Sequence, residues 1–341
     1  MRAGFIEKPE VAYFKEVEEP QIQNPTDVKI QVKVTGICGS EVHAYHGKHP
    51  FRIPPVVSGH EFSGVIVEVG SQVTKYRVGD RVTAEPHYGC GHCIECSEGH
   101  YNVCAAKKVL GSNGWSGSFG EFIVVPEQTV VKLDGGVTFE QGALIEPLAV
   151  GMHAVRQNDV SLGQNILIIG AGTIGLGVSL CAKIANPAKI IMADVVDNNL
   201  EIARKLGCTD TINSAKEDLE ARVMEITGGV GADITFLAFG NAPVVEAAAK
   251  CTRRCGVISE IAIMPNGVGA PFGLIQNKEL MVRGSNMYTR KDYEVVVDAL
   301  NKGLIQTDLM ISRIYPIEQM TEAMEMADKR TEPVVKVMMK F

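Results

Sequence analysis

The chain has 341 residues, 45% hydrophobic and 21% charged, with a formal net charge of −7. That length exceeds one typical domain and suits two, and the composition is that of an ordinary globular enzyme. The negative charge and the absence of a Lys/Arg-rich run exclude a nucleic-acid surface, which needs basic patches to replace phosphate counterions.

Met1 to Glu7 carries one positive charge and no apolar core long enough for a signal peptide. No stretch approaches the ~18–20 uncharged apolar residues of a membrane helix. The expected compartment is therefore the cytoplasm, where the nine cysteines read as metal ligands or buried thiols rather than disulfides. In chain order, Val28 to Val34 alternates apolar and polar residues as a half-buried strand does. Phe62 to Val69 is a β-branched-rich strand, Val78 to Val82 contains a turn, and Gly120 to Val125 is a further strand. Short, closely spaced strands point to a barrel-like domain over the first 150 residues.

The character changes near residue 150. Asn165 to Ile169 is a fully apolar run, as in a buried parallel strand, and a helical stretch to about Ala185 follows. Strands at Ala188 to Asp194, Ile234 to Phe239 and Val257 to Ile263 alternate with helices near 198–206 and 243–252. That rhythm predicts a doubly wound parallel sheet. After Tyr288 the pattern reads helix–strand–helix–strand.

Gly170-Ala171-Gly172-Thr173-Ile174-Gly175 fits G-x-G-x-x-G directly after a strand and before a helix. There Gly170 permits a tight turn, Gly172 lets a pyrophosphate approach the backbone, and Gly175 lets helix and strand pack closely. Thr173 and Ile174 open the helix whose N-terminus stabilises phosphate charge. Asp194 ends the second strand, 19 residues beyond Gly175, where a carboxylate accepts ribose hydroxyls and repels a 2′-phosphate. NAD is expected over NADP.

Cys90, Cys93, Cys96 and Cys104 form C-x2-C-x2-C-x7-C. Four thiolates at this spacing wrap one ion tetrahedrally; zinc is expected, with an iron–sulfur cluster as the alternative. A closed shell leaves no place for substrate, so this metal is structural. Cys38 and His60 supply two ligands from separate segments, and Glu61 and Glu146 are available to complete a second zinc site with an open position.

The segments G-I-C-G-S-E-V-H (36–43), G-H-E-F-S-G (59–64), the four-cysteine lobe, I-E-P-L (145–148) and the nucleotide fingerprint follow one another in order. In these the chain resembles the zinc-dependent medium-chain dehydrogenase/reductase family, in particular its sorbitol (polyol) dehydrogenase branch. The resemblance implies a GroES-like catalytic domain over 1–150 and 286–341, with a structural zinc lobe at 88–106, and a Rossmann NAD-binding domain over 151–285. It implies two zinc ions per chain, NAD as cofactor, oxidation of a secondary alcohol to a ketone, and a homo-oligomer, dimer or tetramer. Cys38 and His60 match the family's catalytic zinc ligands. Other alcohol dehydrogenases have a cysteine where Glu146 stands; in the polyol branch Glu61 is the third ligand and Glu146 holds a water, which slightly favours Glu61. Ser40 and His43 match the proton-relay positions.

Two other readings compete. L-threonine dehydrogenases share fold and metals, often have an aspartate at the position of Glu146, and carry an E-x-H resembling Glu85 to His87. A zinc-stapled protein that senses NAD without turnover is the non-enzymatic alternative. His87 reads equally as an active-site or a surface histidine, Tyr288 as a core aromatic, and Cys181, Cys208, Cys251 and Cys255 as core or helix thiols.

Overall fold

A computed structural model describes residues 1–341. The chain forms two compact units, Met1–Glu146 with Thr289–Gly303 and Ile311–Phe341, and Pro147–Tyr288 with Leu304–Met310.

The first unit is built on a seven-stranded mixed sheet. Its spatial order is Ile311–Pro316, Lys336–Lys340, Asp27–Ile37, Glu61–Val69, Arg81–Ala84 and Val130–Lys132, with Phe122–Pro126 also paired to Asp27–Ile37. Val28, Ile30, Val32, Phe62, Ile66, Val82, Ile123 and Val125 make its closed core. The expected half-buried strand is deeper than its alternation suggested: Lys29 is buried, because its ammonium lies 2.6 Å from Glu19 and its stem is covered. The turn expected within Val78 to Val82 is made at Gly79, φ +92, and the strand Arg81–Ala84 follows it. The strand expected from Gly120 begins at Phe122.

The second unit is a six-stranded, all-parallel sheet in the order Asp210–Asn213, Lys189–Asp194, Asn165–Ile169, Ala232–Leu237, Thr252–Glu260, Met281–Gly284. With strands numbered along this unit the order is 3-2-1-4-5-6, the doubly wound arrangement that binds dinucleotides. Leu167, Ile169, Ile191, Ala193, Ile212, Leu237 and Ile258 fill its core. The strand expected to reach Ile263 ends at Glu260. Helices start and stop on local chemistry. Asp218 caps Leu219–Ile226 by accepting from Ala221 N–H at 2.9 Å, and Asn241 caps Ala242–Cys251 by accepting from Val244 N–H at 3.0 Å. Gly207, at φ +107, closes Asp197–Leu206. No helix is long and apolar enough to cross a membrane.

Candidate active site and metal centres

Cys38 is the N-cap of the helix Gly39–Tyr45. Its backbone N–H donates to Glu41 Oε2 at 3.1 Å, so one carboxylate holds the helix start. The other Glu41 oxygen accepts from His60 Nδ1 at 2.8 Å and from Ser58 Oγ at 3.0 Å. That bond fixes the imidazole tautomer and leaves the Nε2 lone pair as the nitrogen able to ligate a metal. Burial alone would raise the Glu41 carboxyl, but His60 and then the Arg52 guanidinium hold it below the usual carboxylate range. Cys38, Glu41 and His60 bring ligand atoms within 4.8 Å of one another, and so do His60, Glu61 and Glu146. The structure thus gathers Cys38, Glu61 and Glu146 around His60, from a helix N-cap, a strand start and the first turn of the helix Ile145–Gln157.

Glu61 opens the strand opposite Gly36. A Cβ at Gly36 would lie 2.1 Å from Glu61 Oε2, so only glycine leaves room for that carboxylate. Both Glu61 oxygens lie 2.7 Å from Lys336 Nζ, and both residues are almost fully buried. Burial disfavours the ammonium, but Glu61, Cys38 and Glu146 outweigh it and raise Lys336. Ser40 is half-buried and His43, one helical turn on, is exposed.

The four-cysteine lobe closes on itself. Sγ separations of 4.0 Å for Cys90–Cys96 and 3.7 Å for Cys93–Cys104 match the edge of a tetrahedron with metal–sulfur bonds of about 2.3 Å, which is about 3.8 Å. All nine cysteines are free of disulfides. The donor sets therefore fit zinc at both places, one shell complete and the other open.

In the second unit, the turn after Asn165–Ile169 places Gly170 at φ +105, and a Cβ on Gly175 would lie 1.8 Å from the Gly170 carbonyl oxygen. Gly172 caps the helix Thr173–Ile184, and nothing lies within 4 Å of where a Cβ on it would stand. Asp194 accepts from Ala171 N–H at 2.5 Å and from Val195 and Val196 N–H at 2.7 and 2.9 Å. These three bonds make Asp194 the anchor of the turn.

The family described as the alcohol dehydrogenase GroES-like domain matches residues 24–135, and zinc-binding dehydrogenase matches residues 173–302. Sorbitol dehydrogenase 1 of Saccharomyces cerevisiae is 34% identical over 89% of this chain and 88% of its own length. The chain belongs to the zinc-dependent medium-chain dehydrogenase family. D-arabitol-phosphate dehydrogenase of Enterococcus avium is 36% identical, covering 93% of this chain and 91% of that protein. An alcohol dehydrogenase of Escherichia coli CFT073 solved with NADH superposes with a TM-score of 0.92 at 30% identity, covering 100% of this chain and 99% of that one. As a member of this family the chain is a zinc- and nicotinamide-dependent oxidoreductase with a GroES-like and a Rossmann-type part.

Sequence reasoning missed three residues of the site: Glu41, Arg52 and Lys336. Glu41 had a signal, a carboxylate three residues after the helix-capping Cys38, which is capping-box spacing. Lys336 is a lone charge inside the apolar run V-V-K-V-M-M. Two minor readings change. His87 is no surface histidine; it is fully buried, with Nε2 3.3 Å from Glu85 Oε1, and burial pushes Glu85 up to about 7. Cys255 is not a core thiol but exposed, 3.7 Å from a Glu279 oxygen. Tyr288 is fully buried.

Proposed function

We propose that this protein oxidises a secondary alcohol of a polyol, cyclitol or sugar alcohol to the ketone with NAD as hydride acceptor, and catalyses the reverse. The observation that carries the reading is the donor set on His60: Glu41 accepts from Nδ1, and two candidate ligand triads, Cys38–Glu41–His60 and His60–Glu61–Glu146, share this one histidine. Zinc bound there supplies Lewis acidity that makes an alcohol hydroxyl acidic near neutral pH. NAD on the glycine-rich turn supplies the hydride acceptor.

The chain's own residues do the rest. Cys38 and His60 hold the metal, and Glu61 is the third ligand, each of its oxygens keeping a free lone pair beside the bond to Lys336. Glu146, whose carboxylate lies within 4.8 Å of the His60 and Glu61 ligand atoms, supports it and orients water. Ser40 takes the alcohol proton, and exposed His43 returns it to solvent. Asp194 receives the ribose hydroxyls and rejects a 2′-phosphate. Residues 1–150 and 286–341 carry the chemistry, 88–106 the structural zinc, and 151–285 the nucleotide. The sheet edge Met281–Gly284, with Met281 and Val282 about half exposed, supports a homo-oligomer through strand pairing with a second copy. Reduced thiols at all nine cysteines fit a cytoplasmic location.

A screen of vicinal diols and polyols with NAD tests the activity; no polyol-dependent NADH would refute it. Zinc content separates the glutamates. Glu61→Gln is expected to purify depleted in catalytic zinc, whereas Glu146→Gln keeps zinc and loses ~10–100-fold in turnover. The reverse pattern makes Glu146 the ligand.

A further inference from the structure

Arg52 carries a permanent charge yet is 3% exposed. Burying such a group is costly unless its charge and N–H groups are used. Its Nε stands 3.5 Å from Glu41 Oε1, close enough to balance the charge but too far for a hydrogen bond. Nη2 donates to the Leu110 carbonyl at 3.3 Å, and Nη1 donates to Ser40 Oγ at 2.9 Å. The turn that delivers this side chain, His49-Pro50-Phe51-Arg52, is pinned by its own first residue. His49 Nδ1 accepts the Arg52 backbone N–H at 3.0 Å.

We infer that Arg52 is a positioning residue for proton removal, holding the Ser40 hydroxyl in the one orientation from which it passes a proton toward His43. The role rests on the alcohol-oxidising reading above. A hydroxyl has one proton and two acceptor lone pairs, and a guanidinium only donates. The Arg52 bond therefore occupies one Ser40 lone pair and turns the Ser40 proton elsewhere. The remaining lone pair is the place for the alcohol's proton. As that proton arrives, the alcohol O–H breaks and a new Ser40 O–H forms. Ser40's original O–H breaks in the same exchange, and its proton would pass to water or a ribose hydroxyl of bound NAD and then to the imidazole of His43, one turn on in the helix Gly39–Tyr45. Ser40 is unchanged at the end, and one proton has moved. A fixed cation beside Oγ disfavours a doubly protonated serine, so the incoming and outgoing transfers are tied together. The same guanidinium faces Glu41, which orients His60, so it links the metal-ligand side of the site to the proton path.

The test is a double-mutant cycle in the zinc-loaded enzyme with a polyol it turns over. Arg52→Met is expected to keep two zinc ions per chain, leave KM for NAD unchanged, and lower kcat about 10–100-fold, the usual loss for a misplaced catalytic group. Its solvent deuterium isotope effect on kcat should rise. Arg52→Lys, which keeps a charged donor, should recover part of the loss. In a Ser40→Ala background the same Arg52→Met change should cost no more than about 2-fold, since coupled residues are not additive. Equal cost in both backgrounds, or activity lost only in proportion to zinc, would overturn the role. A readout without turnover stands beside it. Nitrogen-15 arginine spectra should show a slowly exchanging Nη–H that Ser40→Ala releases; a signal indifferent to Ser40→Ala overturns the contact itself. A wild-type enzyme inert toward every polyol, with that signal intact, would sink the functional reading and the positioning role while leaving the contact standing.

Discussion

Lys336→Met removes the ammonium from between the two Glu61 oxygens, each 2.7 Å from Nζ, and leaves a carboxylate that is 1% exposed. Removing one partner of a buried ion pair costs about 3–5 kcal/mol, because the survivor stays desolvated without a counter-charge. In thermal midpoint that is roughly 6–20 °C, at about 2–4 °C per kcal/mol for a unit of some 150–250 residues. Zinc changes the sum. If Glu61 is its ligand, the bound ion supplies the missing positive charge, and most of the deficit should vanish. The assay is thermal unfolding of wild type and Lys336→Met, each zinc-replete and after chelation that leaves one zinc per chain. The expected result is a large deficit in the chelated pair and a small one in the replete pair. Equal deficits in both would show that Glu61 does not meet the metal, and no deficit in either would show that the ion pair contributes nothing.

Mild chelation should abolish activity before it unfolds the protein, since four thiolates close one site and the other keeps an exchangeable position; metal analysis finding one zinc, or iron at the cysteines, contradicts this. Asp194→Ala should narrow the ratio of kcat/KM for NAD over NADP; taking the ratio cancels the damage to the turn that Asp194 also holds at Ala171. His46 places Nδ1 2.5 Å from Glu10 and Nε2 2.8 Å from Asp328, and both carboxylates only accept, so the ring is held as the cation and raised by its bonds to Asp328 and then Glu10. The folded value lies above the ordinary 6.5, so this stabilisation is complete below that pH and is lost as pH rises through the folded value. A His46→Gln variant should trail wild type in denaturant melts by about 0.2–1 kcal/mol at pH 6 and converge with it at high pH; a gap that widens with pH refutes the clamp.

The features legible in the sequence are those whose partners are near neighbours. The glycine fingerprint, the four-cysteine lobe and the strand Asn165–Ile169 each depend on backbone geometry within a few residues. Gly175 can be read because the Gly170 carbonyl, five positions away, leaves no room for a Cβ, and Gly170 because the turn needs φ +105. Lys336 is different, because the apolar run around it sets it apart but names no partner. Only the antiparallel pairing of Lys336–Lys340 with Asp27–Ile37, and of that strand with Glu61–Val69, brings it to Glu61. Arg52 was equally silent, since its meaning lies in a hydroxyl twelve residues earlier across a turn fixed by His49. Lys29 misled in the same way: alternation gives the face a side chain takes, but not whether another segment covers that face.

The pairing of Glu61 with Lys336 also orders events in time. Lys336 follows Glu61 by 275 residues, roughly 15–55 s of synthesis at about 5–20 residues per second. Throughout that interval the nascent catalytic half holds a carboxylate whose counter-charge has not been made, and a sheet that still lacks the strand Lys336–Lys340. The nucleotide-binding unit, encoded between them, is meanwhile fully translated. The half that begins the chain is therefore the last to be completed, and the metal site matures after the fold that will supply its hydride acceptor.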